Sequence, residues 1–276
     1  MPSLIIPLVS TGNVPQLSVD LIIHSLSNEF QFVESLDATF LHPFVGPLDY
    51  VIGQETPLLY SNQNDTKKFS TALELFYNKS KGMYVLQQRT PIIQGYLNNF
   101  VKSMILPLVA KYEITEVIIV DSYGSLDEDV LIPSSIATRS WNPFSLGTLE
   151  VNSVGDMSRL FESSLQLDTD TRLHVTTALF KFGSQSLQQE ISTSQQIFKY
   201  TYHILNSQLP SLRTIKYCSL FVHEGDNSYD AYQLCEELPQ AISKFNKIDK
   251  FTPPISWMGV YGFAPAPAAF DEGLYM

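Results

Sequence analysis

Cysteine is nearly missing from this chain: Cys218 and Cys235 are the only two in 276 residues, too few for a disulfide framework. Both fall in apolar-patterned segments, so two reduced core thiols are expected. Basic residues are scarce as well. Seventeen Lys and Arg against 28 Asp and Glu leave a formal net charge of −11, and no basic stripe exists to neutralise phosphates, which excludes a nucleic-acid partner. Such a charge favours solubility and a basic partner surface. No apolar run approaches the length of a membrane span. Residues 1–7 carry Pro2 and Pro7 and no basic residue, so they do not read as a signal peptide. A soluble protein of the cytoplasm, with the nucleus as a second compartment, is the expectation. His24, His42, His174, His203 and His223 show no ligand spacing, so no metal is expected. The sequons at Asn64 and Asn78 are then coincidental.

What remains is a chain large enough to bury a full core, with strands and helices in alternation. Residues 4–10 read as a short buried strand, and Thr11-Gly12-Asn13-Val14-Pro15 as the turn into a helix with Pro15 in its first turn. Val14, Leu17, Leu21, Ile22 and Leu26 trace that helix's apolar face. Residues 33–41 suggest a second strand, and the polar stretch 53–71 is expected to be exposed. Residues 73–77 and 84–88 flank a hairpin-like connection. The clearest helix runs over 93–112 with a kink at Pro107. Val117-Ile118-Ile119-Val120 is a continuous β-branched run, as in an interior parallel strand. Residues 122–155 read as loop, 157–167 and 197–205 as helices, and 215–222 as a strand. A further helix passes through Ala231, Leu234, Cys235 and Leu238, and 255–261 is strand-like. The pattern predicts an α/β fold, an αβα sandwich around a mostly parallel sheet, in a single domain over residues 1–263.

Chemistry is harder to find. The Gly12 turn stands where α/β proteins bind phosphate, but it has one glycine, and Pro15 removes an amide donor. A structural turn is the better reading. His223-Glu224-Gly225-Asp226-Asn227-Ser228 follows a strand and precedes a helix, where open α/β sheets place ligands. An imidazole and two carboxylates there fit general acid–base work. The same residues fit a tight turn with a helix cap, or a partner contact. Ser122 lacks a Gly-x-Ser-x-Gly elbow. No complete catalytic set emerges, and no cofactor is expected.

The chain's last stretch has another character. Residues 264–273 hold two prolines and four alanines, which favour a semi-extended, flexible arm over a core. The arm leads to Leu274-Tyr275-Met276, a hydrophobic–tyrosine–any ending. A terminal carboxylate can be captured as a ligand, with the preceding side chains giving specificity. A tyrosine suits that role, burying a ring while its hydroxyl seeks one polar partner. Fraying is what most chain ends do, and that reading stays open.

Several stretches together carry a resemblance. Residues 4–10 running into Gly12-Asn13-Val14-Pro15-Gln16-Leu17, then Gln87-Gln88-Arg89-Thr90-Pro91, Glu224-Gly225-Asp226-Asn227 and Pro254-Ile255-Ser256-Trp257 resemble the heterodimeric proteasome assembly chaperone family, in its second-subunit branch. The ending Leu274-Tyr275-Met276 is similar to the tail of fungal members. The resemblance implies a non-enzymatic, nucleotide-independent chaperone with a fold distantly like nucleoside phosphorylases. Its implied partners are a sister subunit and the α-subunit ring of the 20S core particle. It further implies that Leu274 makes an apolar contact, Tyr275 acts as an aromatic wedge, and the Met276 carboxylate meets a lysine between adjacent α subunits. Two other classes stay open: a phosphorylase- or hydrolase-type enzyme using His223, Glu224 and Asp226, and an unrelated adaptor displaying the same tail.

Overall fold

The β-branched run at 117–120 lies at the middle of a sheet, flanked on both sides by parallel strands. The computed structural model describes residues 2–51, 53–54, 56–63, 67–124, 142–151, 176–177, 179–183, 190–223, 225–242, 245 and 247–258. Its strands in chain order are β1 (Ser3–Pro7), β2 (Phe30–Ser35), β3 (Val45–Pro47), β4 (Phe69–Thr71), β5 (Leu73–Asn78) and β6 (Met83–Gln88). They continue with β7 (Glu116–Tyr123), β8 (Phe144–Glu150), β9 (Thr176–Thr177), β10 (Lys181–Phe182), β11 (Ile191–Ser192) and β12 (Thr214–Phe221). Eight of them form one sheet in the order β10-β8-β12-β7-β1-β6-β5-β2. The centre, β12-β7-β1-β6, is parallel throughout. β8 and β5 flank it antiparallel, and β10 and β2 reverse direction once more, so six of the eight strands point the same way.

Alternation along the central strands feeds two cores. Ile5, Ile118, Val120, Cys218 and Leu220 face one layer, while Leu4, Ile6, Val117, Ile119, Ile215 and Tyr217 face the other. All of these are essentially removed from water. A side chain of this size contributes about 1.5–3 kcal/mol when fully buried. Helices α1 (Val14–Ser25) and α5 (Ser228–Glu237) cover the first face. The second is covered by α2 (Leu97–Phe100), α3 (Leu106–Lys111) and α4 (Gln196–Asn206). The expected sandwich is therefore present. Both cysteines are free and buried, as expected, and burial pushes the Cys218 thiol up to about 12. Asn78 is fully buried with its amide donating to Glu29, so that sequon is closed to modification; Asn64 lies outside the described residues.

Five expectations need correction. The second strand is Phe30–Ser35, because a bulge between Phe32 and Glu34 breaks its alternation. Within 53–71, Leu59, Tyr60 and Ser70 are buried: a 3-10 helix, Leu58–Gln63, packs against β2 and buries Leu59 and Tyr60. The helix expected over 93–112 starts at Leu97 and passes through a π turn, Val101–Ile105, before α3. Pro107 sits in the first turn of α3; it has no N–H to give, and the widened turn takes up the mismatch where a kink was expected. Residues 255–257 form a 3-10 turn, Ile255–Trp257, that sinks Trp257 into the core without a ladder. Part of the 122–155 region is a strand too, since β8 pairs with β12 from Thr214 to Leu220. The helix expected over 157–167 lies outside the described residues.

The margin at β2 is closed off. Asn62 Nδ2 donates to the Phe32 carbonyl at 2.8 Å, and Lys67 reaches Ser35 Oγ at 2.8 Å. Lys111 Nζ also holds Glu34, at 2.6 Å.

Candidate functional site

The parallel strands deliver their carboxyl ends to one side of the sheet, where ligands of α/β proteins bind. Two polar assemblies stand there. In the first, β1 runs through Ser10 into the Gly12 turn, and Gly12 takes φ +68°. Asn13, also left-handed at φ 52°, leads into α1. A side chain at Gly12 would place its Cβ 2.4 Å from Asn227 Oδ1, so Asn227 lies directly over the turn. Asn227 is 3% exposed, and its amide donates to the His223 carbonyl at 2.7 Å and to Asp230 at 2.8 Å. Ser122 closes the other side: its hydroxyl donates to the Thr11 carbonyl at 2.6 Å, and its N–H donates to Ser10 Oγ at 3.0 Å. Gln16 and Gln196 donate their amides to the Leu8 and Val9 carbonyls, both at 2.9 Å. The expected structural turn is what forms here, with Asn227 over the glycine.

Asp226 is exposed, and its carboxylate accepts the Ser228 N–H at 3.0 Å, as a turn requires. His223 is exposed, its ring edge-on to Phe221 at 5.3 Å between centroids. Glu224 lies outside the described residues, as do Leu274, Tyr275, Met276 and the whole arm 264–276.

The second assembly is a cavity of about 380 Å³ between the first half of α1, the end of β6 and the Ile255–Trp257 turn. Val9, Leu17, Phe44, Pro91 and Trp257 give it apolar walls; Gln16, Asp20, Gln87, Gln88, Arg89 and Ser256 give it polar ones. Gln87 donates its amide to Asp20 and accepts from Arg89 at 2.7 Å. Arg89 also lies 3.8 Å from Glu74, which is fully buried, ion-paired with Lys67 at 2.8 Å, and accepts the Tyr60 hydroxyl at 2.8 Å. Burial and the Glu74 charge hold the Tyr60 hydroxyl far above its usual range, so it stays protonated and donates to Glu74. Asp49, buried, holds the Ser256 hydroxyl at the cavity floor.

Charge in this cluster is finely set. Burial raises the Asp20 carboxyl, with Arg89 pulling the other way. Burial lowers His24, one turn along α1, whose Nδ1–H donates to the Asp20 carbonyl at 2.8 Å. Burial works against the Arg89 charge, yet Asp20, Tyr60, Glu74 and Asp49 around it outweigh that and raise it. Not every group is satisfied. Gln88, 2% exposed, donates to the Thr90 carbonyl, but its Oε1 has no hydrogen-bond partner; neither do Gln16 Oε1 and Arg89 Nε. Among the described residues, no group of three or more His, Cys, Asp or Glu side chains could hold a metal ion. No helix among them is long and apolar enough to cross a membrane.

Comparison with known proteins gives these features a frame. The PAC2 family model matches residues 4–241. The chain belongs to the PAC2 family. It is 40% identical over 278 residues to proteasome assembly chaperone 2 of Saccharomyces cerevisiae, a match covering 99% of each chain. It is also 36% identical over 103 residues to proteasome assembly chaperone 2 of Danio rerio, covering 37% of this chain and 35% of that one. Among solved structures, Pyrococcus furiosus PbaA, described as an archaeal homolog of proteasome-assembly chaperone, aligns with 90% of this chain and 83% of its own. The two are 11% identical, with a TM-score of 0.45.

The PAC2 segments that carry the resemblance in sequence come together in space. The Gly12 turn touches Asn227 of the Glu224–Asn227 segment. Gln16 meets Gln87, Gln88, Arg89, Ser256 and Trp257 around the cavity. Asp20 as a cavity group was not anticipated from the sequence. The signal was there: one carboxylate between Val19 and Leu21 on the apolar face of a helix, and Gln87 and Gln88 closing the strand β6, with Arg89 just beyond.

Proposed function

We propose that this chain is one subunit of a non-enzymatic, heterodimeric chaperone that acts in assembly of the 20S proteasome core particle. Seated on the α-subunit ring, it inserts its tail into a pocket between α subunits. The observation that carries this reading is the reach of the likeness to yeast proteasome assembly chaperone 2, which covers 99% of each chain. PAC2 membership supports the chaperone role. The Asn227 side chain over Gly12 supports it too, since it fills the space in which a phosphate would approach the turn. His223, Glu224 and Asp226 then serve turn and cap, and no reaction.

In this reading Leu274 and the Tyr275 ring supply most of the tail's contact energy, about 1.5–3 kcal/mol for a fully buried side chain. The Met276 carboxylate adds a charge-assisted bond to a lysine, roughly 1.5–3 kcal/mol. One tail alone binds weakly, and the body and sister subunit raise its effective concentration at the ring. The cytoplasm is the proposed compartment, with the nucleus as a second; imaging of a tagged chain confined to an organelle lumen would refute that.

Binding of the heterodimer to 20S particles tests the tail. A single glycine added after Met276 is expected to weaken binding about as much as deleting Leu274-Tyr275-Met276, because it displaces the carboxylate and spares every side chain. Met276→Ala is expected to be nearly silent. Unchanged binding by both the extended and the truncated forms would sink the tail mechanism. Phosphorolysis or hydrolysis that disappears in Glu224→Ala would replace the chaperone reading with an enzymatic one.

A further inference from the structure

Seven large apolar side chains stand exposed among the described residues, and they are not spread evenly. Four of them, Phe44, Val45, Phe69 and Met258, belong to one region. β3 and β4 form a two-stranded ribbon in which Val45 lies opposite Thr71 and Pro47 opposite Phe69. Alternation along a strand puts those four on one face, with Gly46 and the buried Ser70 on the other. The outward face is open: Val45 is 72% exposed and Phe69 60%. Phe44 folds back over Gly46 and reaches the mouth of the cavity beside α1, where Pro91, Ser256 and Trp257 join it. Met258, half exposed, follows Trp257 directly. A ribbon of two three-residue strands has little stability of its own. Contiguous apolar surface left open on a folded chain marks a contact.

The course of the chain points to what covers this face. Residues 254–256 run antiparallel to 49–51: the Ile255 N–H donates to the Tyr50 carbonyl at 2.8 Å, the Ser256 N–H to Asp49 at 3.3 Å, and Pro254 bridges Val51. β3 lies just before 49–51 in sequence, so this run heads back toward it. Met258 is extended, at φ −67° and ψ 122°, beyond the Ile255–Trp257 turn. The next five residues are Gly259-Val260-Tyr261-Gly262-Phe263, with three large apolar side chains and no charge. We infer that residues 259–263 dock on the β3–β4 ribbon, with Val260, Tyr261 and Phe263 covering Phe44, Val45 and Phe69. Five extended residues span about 17 Å, enough to cross a ribbon whose strands are about 10 Å long. Tethered at Met258, the segment meets the ribbon at an effective concentration on the order of millimolar, with no partner needed from solution. The Pro/Ala-rich arm 264–276 then starts from the ribbon, whatever its ending binds.

Amide hydrogen exchange of the full chain, followed by mass spectrometry, tests the docking. The triple variant Val260→Ser, Tyr261→Ser, Phe263→Ser is expected to speed exchange at residues 44–46 and 69–71 at least tenfold, leaving β7 and β12 unaltered. The reciprocal variant Val45→Ser, Phe69→Ser changes two exposed positions and spares the core. It is expected to speed exchange within residues 259–263 by a similar factor. Phe270→Ser, an apolar loss further along the arm, is expected to alter neither region. Exchange of residues 259–263 in the wild type at the rate of an unstructured peptide would overturn the docking. So would unaltered exchange at the ribbon in the triple variant, and either result would leave this face to a partner protein. Protection of the ribbon that disappears when the wild type is diluted a hundredfold would overturn it as well, assigning the face to a second copy of the chain. An equal response to Phe270→Ser would place the contact in the wrong segment and overturn it too.

Discussion

The Gly12 turn and the Asp20 cavity stand less than three turns of α1 apart, at the same end of the same sheet, and they use similar residues to opposite ends. Around Gly12, Ser10, Ser122 and Asn227 spend their hydrogen bonds on one another and on nearby backbone. Around Asp20, Gln16 and Gln88 do so only with their amide nitrogens, and their oxygens stay without a partner. Polar residues in a loop or at a strand end do not announce a site by type. What separates scaffold from site is whether their bonding capacity is used up within the fold.

The largest expected effect breaks the first assembly. Gly12→Ala forces a side chain into a left-handed backbone and into Asn227, at 2.4 Å from Oδ1. A loss of about 2–4 kcal/mol is expected in denaturant unfolding. Asn227→Ala comes next, since it strands the His223 carbonyl and Asp230, at about 1–2 kcal/mol. Because that change also makes room above the turn, the double variant should be less damaged than the two losses added together. Strict additivity would mean that the two segments do not act as one unit.

In the cavity the sign reverses. Asp20 has a folded pKa above its ordinary value, so the stability it contributes is present at low pH and is lost as pH rises through the folded value. Asp20→Asn should therefore stabilise the protein near neutral pH by on the order of 1 kcal/mol, and the gain should vanish toward pH 4. Equal gains at both pH values would refute this. The smallest effect belongs to His24. Its folded pKa lies below the ordinary 6.5, so its contribution holds above that value and is lost as pH falls through the folded one. In His24→Gln, the acid side of the stability profile should flatten; a profile identical to the wild type would refute the assignment.

How much of this could be read in advance follows from what each residue answers to. β7 was legible because a strand buried on both faces needs apolar residues at every position, and 117–120 supplies them. β8 was not: Phe144-Ser145-Leu146-Gly147-Thr148-Leu149 mixes small and polar residues with apolar ones. Gly147 is required there by its neighbours, since a Cβ would lie 2.8 Å from the Phe180 and Phe182 side chains. Tyr60 sat in a polar stretch and gave no sign that its hydroxyl would be needed by a buried Glu74. The Gly12 turn could be read locally, for a glycine before a proline-started helix has few uses. The cavity could not, because residues 16–20, 87–89 and 256–257 become neighbours only once the sheet is assembled.

One margin of that sheet constrains how the molecule can meet others. At β2 the bulge after Phe32, the Asn62 amide on the Phe32 carbonyl and the Glu34–Lys111 pair occupy the places an incoming strand would need. An extended segment from another chain finds no continuous row of open amides and carbonyls along this border. Strand addition at this border is disfavoured, so a companion protein that meets the molecule here does so through side chains.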